Sequence, residues 1–234
     1  MSRRIKNINR ALLTEALERF AALLEPGDRI LDVGAGSGHY RAFFRQQEYL
    51  AIDRGYEQKD LAGLSAVADI AAIPFAGEAI DSAVCMEVLE HVPDPFRILN
   101  EINRVLRPGA HVLVSTPLCY GEHMQPHDFQ RYTRFALQEM FRRTGFEIVS
   151  ISPRGGFFTL LAYLLARVPD ELLRNRRGWV RHTKPLLRLA TTYTLAPLFL
   201  ALDFADVRKD FTLGFVSHIR KRRQADGMST AAIP

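Results

Sequence analysis

Hydrophobic positions along this chain follow two alternating rhythms. Leu12, Leu13, Ala16, Leu17, Phe20 and Leu24 recur at helical spacing, which predicts an amphipathic helix over 8–24. Pro26-Gly27-Asp28 turns the chain, and Arg29 to Val33 reads as a short buried strand. A glycine-rich turn over Gly34 to Gly38 and a short helix over 40–47 follow. Strands are then predicted at 49–53, 65–68, 79–85, 111–116 and 146–151, with helices at 95–106 and 133–144 between the later ones. Such alternation predicts an α/β domain, doubly wound, with a mostly parallel sheet covered on both faces.

The rhythm breaks after residue 152. Phe157 to Val168 is almost wholly apolar, 174–188 is basic, and Leu186 to Leu202 is apolar again apart from Arg188. It resumes at 211–218, a last strand that makes the sheet seven-stranded. The chain is therefore read as one domain. An N-terminal helix (1–25) precedes a ligand-binding core (26–152), and a helical insertion (153–210) precedes the last strand (211–219). A basic, then small and polar tail closes the chain (220–234).

Composition adds a few constraints. With 47% hydrophobic and 24% charged residues the chain is globular in character. Its net charge is +5, and 154–204 alone holds eight basic residues against three acidic ones. Such a concentration suits an anionic lipid surface, nucleic acid or an acidic substrate. Cys85 and Cys119 have neither metal-ligand spacing nor the density of a disulfide framework, which fits a reduced, cytoplasmic setting. The basic N-terminus runs into Glu15 and Glu18 rather than an apolar stretch, so no secretory signal is expected.

Carboxylates stand at or beside the ends of the first three predicted strands (Asp32, Asp53 and Asp69), where ligands bind in open α/β sheets. The strongest motif is Asp32-Val33-Gly34-Ala35-Gly36-Ser37-Gly38, in which glycines permit a sharp turn and close approach to a ligand. A dinucleotide fingerprint would need a third glycine where His39 stands, and no Walker lysine follows.

Ile30 to Tyr40 resembles the first motif of the class I S-adenosylmethionine-dependent methyltransferases, a group that includes enzymes of quinone biosynthesis. The resemblance extends over 28–152, resumes at 211–219, and implies a Rossmann-like fold. It implies that Gly34, Gly36 and Gly38 pack against the methionine part of the cofactor. Asp32 orients its amino end, and Asp53 holds the ribose hydroxyls. Asp69 and Ile70 are expected to contact adenine, and Met86 and Glu87 to continue the cofactor wall. Glu87-Val88-Leu89-Glu90-His91-Val92 resembles the family's segment after strand four.

Methyl transfer needs alignment and exclusion of water, plus a base when an oxygen acceptor arrives protonated. Candidate catalytic residues are His127, His91 and Asp128, the last as a carboxylate that fixes an imidazole's tautomer. No metal site is expected, because Pro126 interrupts the helix that would align His123 with His127. The expected activity is methyl transfer to a small, lipid-linked or glycan-linked acceptor at oxygen. The alternatives are an RNA methyltransferase and a non-catalytic scaffold; the absence of an Asn-Pro-Pro-aromatic motif and of an appended RNA-binding module argues against nucleic acid. For 153–210 three readings stay open: a lid over the acceptor, a homodimer interface, or attachment of 157–202 to an anionic membrane surface, where Trp179 would suit. Leu186 to Leu202 counts 17 residues with Arg188 and Pro197, short of the ~20 needed to span a bilayer.

Overall fold

The computed structural model describes residues 8–55, 61–174 and 182–223. Helix α1 (Ile8–Ala21) precedes β1 (Arg29–Val33), a 3-10 turn (His39–Phe43), β2 (Glu48–Asp53) and β3 (Ala66–Val67). Then come β4 (Ile80–Met86), α2 (Pro95–Val105), β5 (Leu106–Pro117), α3 (Arg134–Arg143) and β6 (Phe146–Pro153). Helix α4 (Phe157–Leu173) and a run made of α5 (Lys184–Arg188), a π-helical stretch (Leu189–Leu195) and α6 (Ala196–Leu202) lead to β7 (Gly214–Lys221).

The strands form one seven-stranded sheet in the order β3-β2-β1-β4-β5-β7-β6. Strands β1 to β5 pair in parallel. The last strand runs against β5. Leu118 donates its N–H to Leu213 O (2.9 Å) beyond one end, and Lys221 Nζ donates to Leu106 O (2.8 Å) at the other. The central strands are apolar without alternation because both faces are covered. Ile30, Leu31, Val33, Ala83, Val84, Cys85, Val112 and Val114 are all fully buried. Helix α2 begins where the Asp94 side chain accepts from Arg97 N (3.2 Å) with Pro95 at its first position, and it buries Ile98, Leu99, Ile102 and Val105. Thr133 caps α3 in the same way, accepting from Ala136 N, and Gly145 (φ 82°) closes it.

Several elements differ from the sequence expectation. The last strand, expected at 211–219, is Gly214–Lys221. The helix expected at 40–47 is a five-residue 3-10 turn. Strand β3 shrinks to the pairs Ile52–Ala66 and Asp53–Val67, at a sheet edge where Val67 is 57% exposed. Strand β5 starts at Leu106, directly after α2. A bulge lets Arg107-Pro108-Gly109 fall between the Ile80–Leu106 and Ser82–His111 pairs, and Gly109 takes φ 84° there.

The chain forms two compact units. The sheet unit comprises Leu17–Pro117, Gly121–Ser152 and Val216–Pro234. The helical unit comprises Met1–Ala16, Leu118–Tyr120 and Pro153–Phe215. Its small core is Ile8, Ala162, Tyr163, Ala196 and Leu213, with Leu12, Tyr120, Leu160, Phe199 and Leu200 packed around it. Two distant carboxylates hold the start of α4. Asp203 Oδ1 accepts from Gly156 N (3.0 Å) and Thr159 N (2.8 Å), and Asp206 Oδ2 accepts from Phe157 N (2.6 Å). These satisfy N–H groups that a helix start leaves unpaired. A Cβ at 156 would stand 2.3 Å from Asp206 Oδ2, so a side chain there would displace that carboxylate.

The expectation of a 17-residue apolar stretch is corrected here. The helical run continues from Lys184 to Ala205, 22 residues with only 17% of its most apolar window buried. By length and composition that suffices to cross a membrane. Basic residues of this region are partly neutralised within the chain, since Asp170 binds both Lys184 (2.7 Å) and Arg188 (3.0 Å). Arg176, Arg177, Trp179 and Arg181 lie outside the described residues.

Candidate active site

The glycine turn leaves β1 in a conformation that only glycines adopt freely. Gly34, Gly36 and Gly38 have φ of 74°, 55° and 72°. A Cβ on Gly34 would stand 2.6 Å from Val88 Cγ2, and one on Gly38 3.3 Å from Gly63 O. Strand register fixes the turn, because Gly34 N and Ala35 N both donate to Ile52 O (2.9 and 3.0 Å). Asp53, ending β2, ties it from the other side. Its Oδ2 accepts from Gly36 N (3.0 Å) and its Oδ1 from Gly55 N (2.8 Å). Each carboxylate oxygen keeps a second lone pair, so the group can still accept from two neighbouring hydroxyls.

Asp32 lies beneath this turn at 1% exposure. Its Oδ2 accepts a hydrogen bond from the Tyr49 hydroxyl, a partner the sequence did not reveal, while Oδ1 has no hydrogen-bond partner among the described residues. Burial pushes the Asp32 carboxyl up to about 7; the Tyr49 bond works against this and the Asp53 charge adds to it. A buried carboxyl with an unused oxygen beside a second carboxylate is a site for a cation. The amino and sulfonium groups of S-adenosylmethionine fit that demand.

Further along the strand ends, Asp69 is engaged by Arg54 (2.5 Å) and by Ala71 N (2.8 Å). Arg54 holds its carboxyl below the usual range. Ile70 and Met86 are nearly closed off, at 6% and 4% exposure. Glu87 takes a left-handed backbone (φ 56°), and its N–H is held by Ser115 O (3.1 Å) and Ser115 Oγ (3.0 Å). A non-glycine residue held in this region is the kind of local strain found at functional sites.

The expected catalytic residues gather on two segments of the sheet unit, Leu89–His91 and the loop after β5. Phe129 N donates to Glu90 O (2.8 Å), and the Tyr132 hydroxyl donates to Leu89 O (2.8 Å). His91 reaches the His127 backbone, its Nδ1 standing 2.6 Å from the carbonyl oxygen. Its Nε2 stands 3.7 Å from Glu90 Oε1. Burial lowers the His91 pKa, partly opposed by the bond to the His127 carbonyl. Asp128 is clamped by Arg131 through both oxygens (2.6 and 2.7 Å) and accepts from His123 N (2.9 Å), which holds its carboxyl well below the usual range.

The carboxylate expected to orient His127 thus serves Arg131 and His123. The His127 ring is exposed beside Phe129, with centroids 6.2 Å apart. His123, considered from sequence only alongside His127, instead meets His91 edge-on at 4.6 Å. Glu90, fully buried, completes that group and was not singled out from sequence.

A family model described as a methyltransferase domain matches residues 5–151. The chain belongs to this methyltransferase-domain family. An uncharacterized methyltransferase of Mycobacterium leprae (strain Br4923) is 34% identical over 105 residues, covering 41% of this chain and 39% of the relative. A ubiquinone biosynthesis O-methyltransferase of Yersinia pestis (strain Pestoides F) is 30% identical over 125 residues, covering 48% of this chain and 51% of the relative. The methyltransferase domain therefore matches about half or less of these relatives' lengths. Among solved structures, the 1,6-didemethyltoxoflavin-N1-methyltransferase of Burkholderia thailandensis, bound to 1,6-didemethyltoxoflavin and S-adenosylhomocysteine, superposes with a TM-score of 0.58. It has 18% identity, over 92% of this chain and 80% of that one. The cyclase SpnF superposes with a TM-score of 0.59 and 22% identity, over 89% and 81%. These likenesses fix the fold, a Rossmann-like methyltransferase sheet. The cyclase shows that the fold by itself does not dictate the reaction.

Proposed function

We propose that this chain is an S-adenosylmethionine-dependent methyltransferase acting at an oxygen atom of a small or lipid-linked acceptor. The observation that carries this reading is the pair Asp32 and Asp53 around the glycine turn, with Asp32 Oδ1 left for a cationic ligand. Asp32 would face the amino end of the cofactor, and Asp53 the ribose diol. Gly34, Gly36 and Gly38 would admit its methionine part, and Asp69, Ile70, Met86 and Glu87 would line the rest. When bound, the cofactor supplies an activated methyl group. The chain's own work is to align the acceptor, exclude water and take up the acceptor's proton.

His127 fits the last task because its ring is exposed, whereas His91 directs one nitrogen to a carbonyl and the other toward Glu90. The O-methyltransferase relative supports an oxygen acceptor. A lipid-linked acceptor is supported by the helical unit, where Leu186 (71%), Leu189 (57%) and Leu198 (56%) are exposed on the run that also carries Lys184 and Arg188. Apolar side chains with basic neighbours suit the surface of an anionic membrane.

Isothermal titration with S-adenosylhomocysteine tests the cofactor site. Wild type should bind at micromolar or tighter affinity, and Asp53→Ala should bind at least about 100-fold more weakly, given about 1.5–3 kcal/mol for each charge-assisted bond. Equal binding by the folded variant would remove the reading.

A further inference from the structure

We propose that Glu90, His91 and His123 bind one divalent transition-metal ion of the zinc or cobalt kind. Each residue offers one ligand atom, and the three atoms lie within 4.8 Å of one another. The closest measured pair, His91 Nε2 and Glu90 Oε1 at 3.7 Å, approaches the ~3.4 Å expected between tetrahedral ligands about 2.1 Å from an ion. His123, with its side chain 30% exposed, has room to close the remaining distance, while Glu90 is fully buried and His91 only 10% exposed.

The hydrogen bonds set the chemistry of the rings. A carbonyl oxygen can only accept, so the 2.6 Å contact with His127 O requires a proton on His91 Nδ1. In the neutral ring Nε2 then carries its lone pair toward the Glu90 carboxylate. The same argument holds for His123, whose Nδ1 lies 3.1 Å from Gly121 O and 3.5 Å from Asp128 Oδ2. Both imidazoles therefore present Nε2 as the donor atom, and each is oriented by a carbonyl or carboxylate on the opposite nitrogen. That outer arrangement is the one metal-bound histidines use. Arg131 fixes Asp128, and Asp128 fixes His123 through its backbone N–H as well, so the loop is positioned from outside the ligand set.

Two imidazoles and a carboxylate match zinc or another first-row divalent ion, and three protein ligands leave a coordination position open. An acceptor hydroxyl bound there would lose its proton more readily, as metal-bound water does. That consequence rests on the methyl-transfer reading; the metal site itself does not.

The test is titration of chelator-treated protein with Co2+, read by visible d–d absorption, followed by displacement with Zn2+. One equivalent should bind and give a four- or five-coordinate spectrum. The spectrum should be lost in Glu90→Gln and His123→Ala and retained in His182→Gln, an exposed histidine elsewhere. Because Glu90 is buried, circular dichroism and Tm accompany each variant; His123→Ala, at a partly exposed position, decides the matter if Glu90→Gln unfolds. Asp128→Asn should weaken Co2+ by about 10–100-fold. Absence of a cobalt spectrum, or one that survives His123→Ala, overturns the proposal. S-adenosylhomocysteine binding by the same cobalt-free sample would show that the metal site alone had failed.

Discussion

The sheet unit and the helical unit treat the same residue types in opposite ways. In the sheet unit Leu31, Leu99 and Leu137 are fully buried, and each lies on a strand or helix packed within the layered core. In the helical unit Leu186, Leu198, Leu202 and Phe204 are 71%, 56%, 37% and 82% exposed. The first pattern is that of a self-sufficient core. The second is a set of exposed apolar side chains spread along Lys184–Ala205, and exposed apolar surface of this kind is what proteins reserve for a partner or a membrane.

Their carboxylates differ in the same sense. Asp203 in the helical unit is partly desolvated, which raises its pKa, but Lys209 and the N–H groups of Thr159 and Gly156 outweigh this and bring it below the usual value. Asp203 therefore contributes stability above the ordinary aspartate pKa, and that contribution is lost as pH falls through its folded value. Asp32 is raised from 3.8 to about 7, so its contribution is full below 3.8 and disappears as pH rises to about 7. One carboxylate serves the fold. The other is a local cost, which a cationic ligand offsets.

Three variants sharpen the contrast. The largest effect is expected from Asp203→Ala, which removes the acceptor of Gly156, Thr159 and Lys209. Local stability of the helical unit should fall by about 3 kcal/mol at pH 7, seen as faster amide exchange across α4. Unchanged protection there would show that the small core, not the carboxylate, holds the unit.

Asp32→Asn should have the opposite sign. At pH 8 the ligand-free variant should unfold at higher denaturant by about 1–2 kcal/mol, with the gain vanishing near pH 4, while S-adenosylhomocysteine binds more weakly. A loss of stability at pH 8 would refute the assignment of Asp32 as a strained, ligand-directed group. The smallest change in folding is expected from Leu186→Ser with Leu198→Ser, within about 0.5 kcal/mol because both are exposed. Flotation with anionic vesicles at low salt should nevertheless drop at least tenfold; equal flotation would remove the membrane contact.

Much of the sheet unit was legible because its signals are local. The glycine turn needs particular backbone angles, and buried parallel strands need unbroken apolar runs, so Gly34 to Gly38 and the strands at 29–33 and 49–53 could be read directly. The cap at Thr133 and the stop at Gly145 are equally local. The bulge in β5 was not legible, because it exists only against the register of β4. Nor was the helical run of Lys184–Ala205, because the apolar stretch that marks it in the sequence spans only Leu186 to Leu202, whereas the run takes in polar residues at both ends.

By itself the sequence determined the fold class, the order of elements and the carboxylates at the ends of β1 and β2. These follow from periodicity, glycine conformational freedom and strand-end position, all encoded within a few residues. Only the tertiary structure decided that Tyr49 holds Asp32, that Arg131 claims Asp128, and that His123 meets His91 and Glu90. Those pairings join residues from separate segments. Their partners are chosen by strand register and loop path, which no local pattern of side chains specifies.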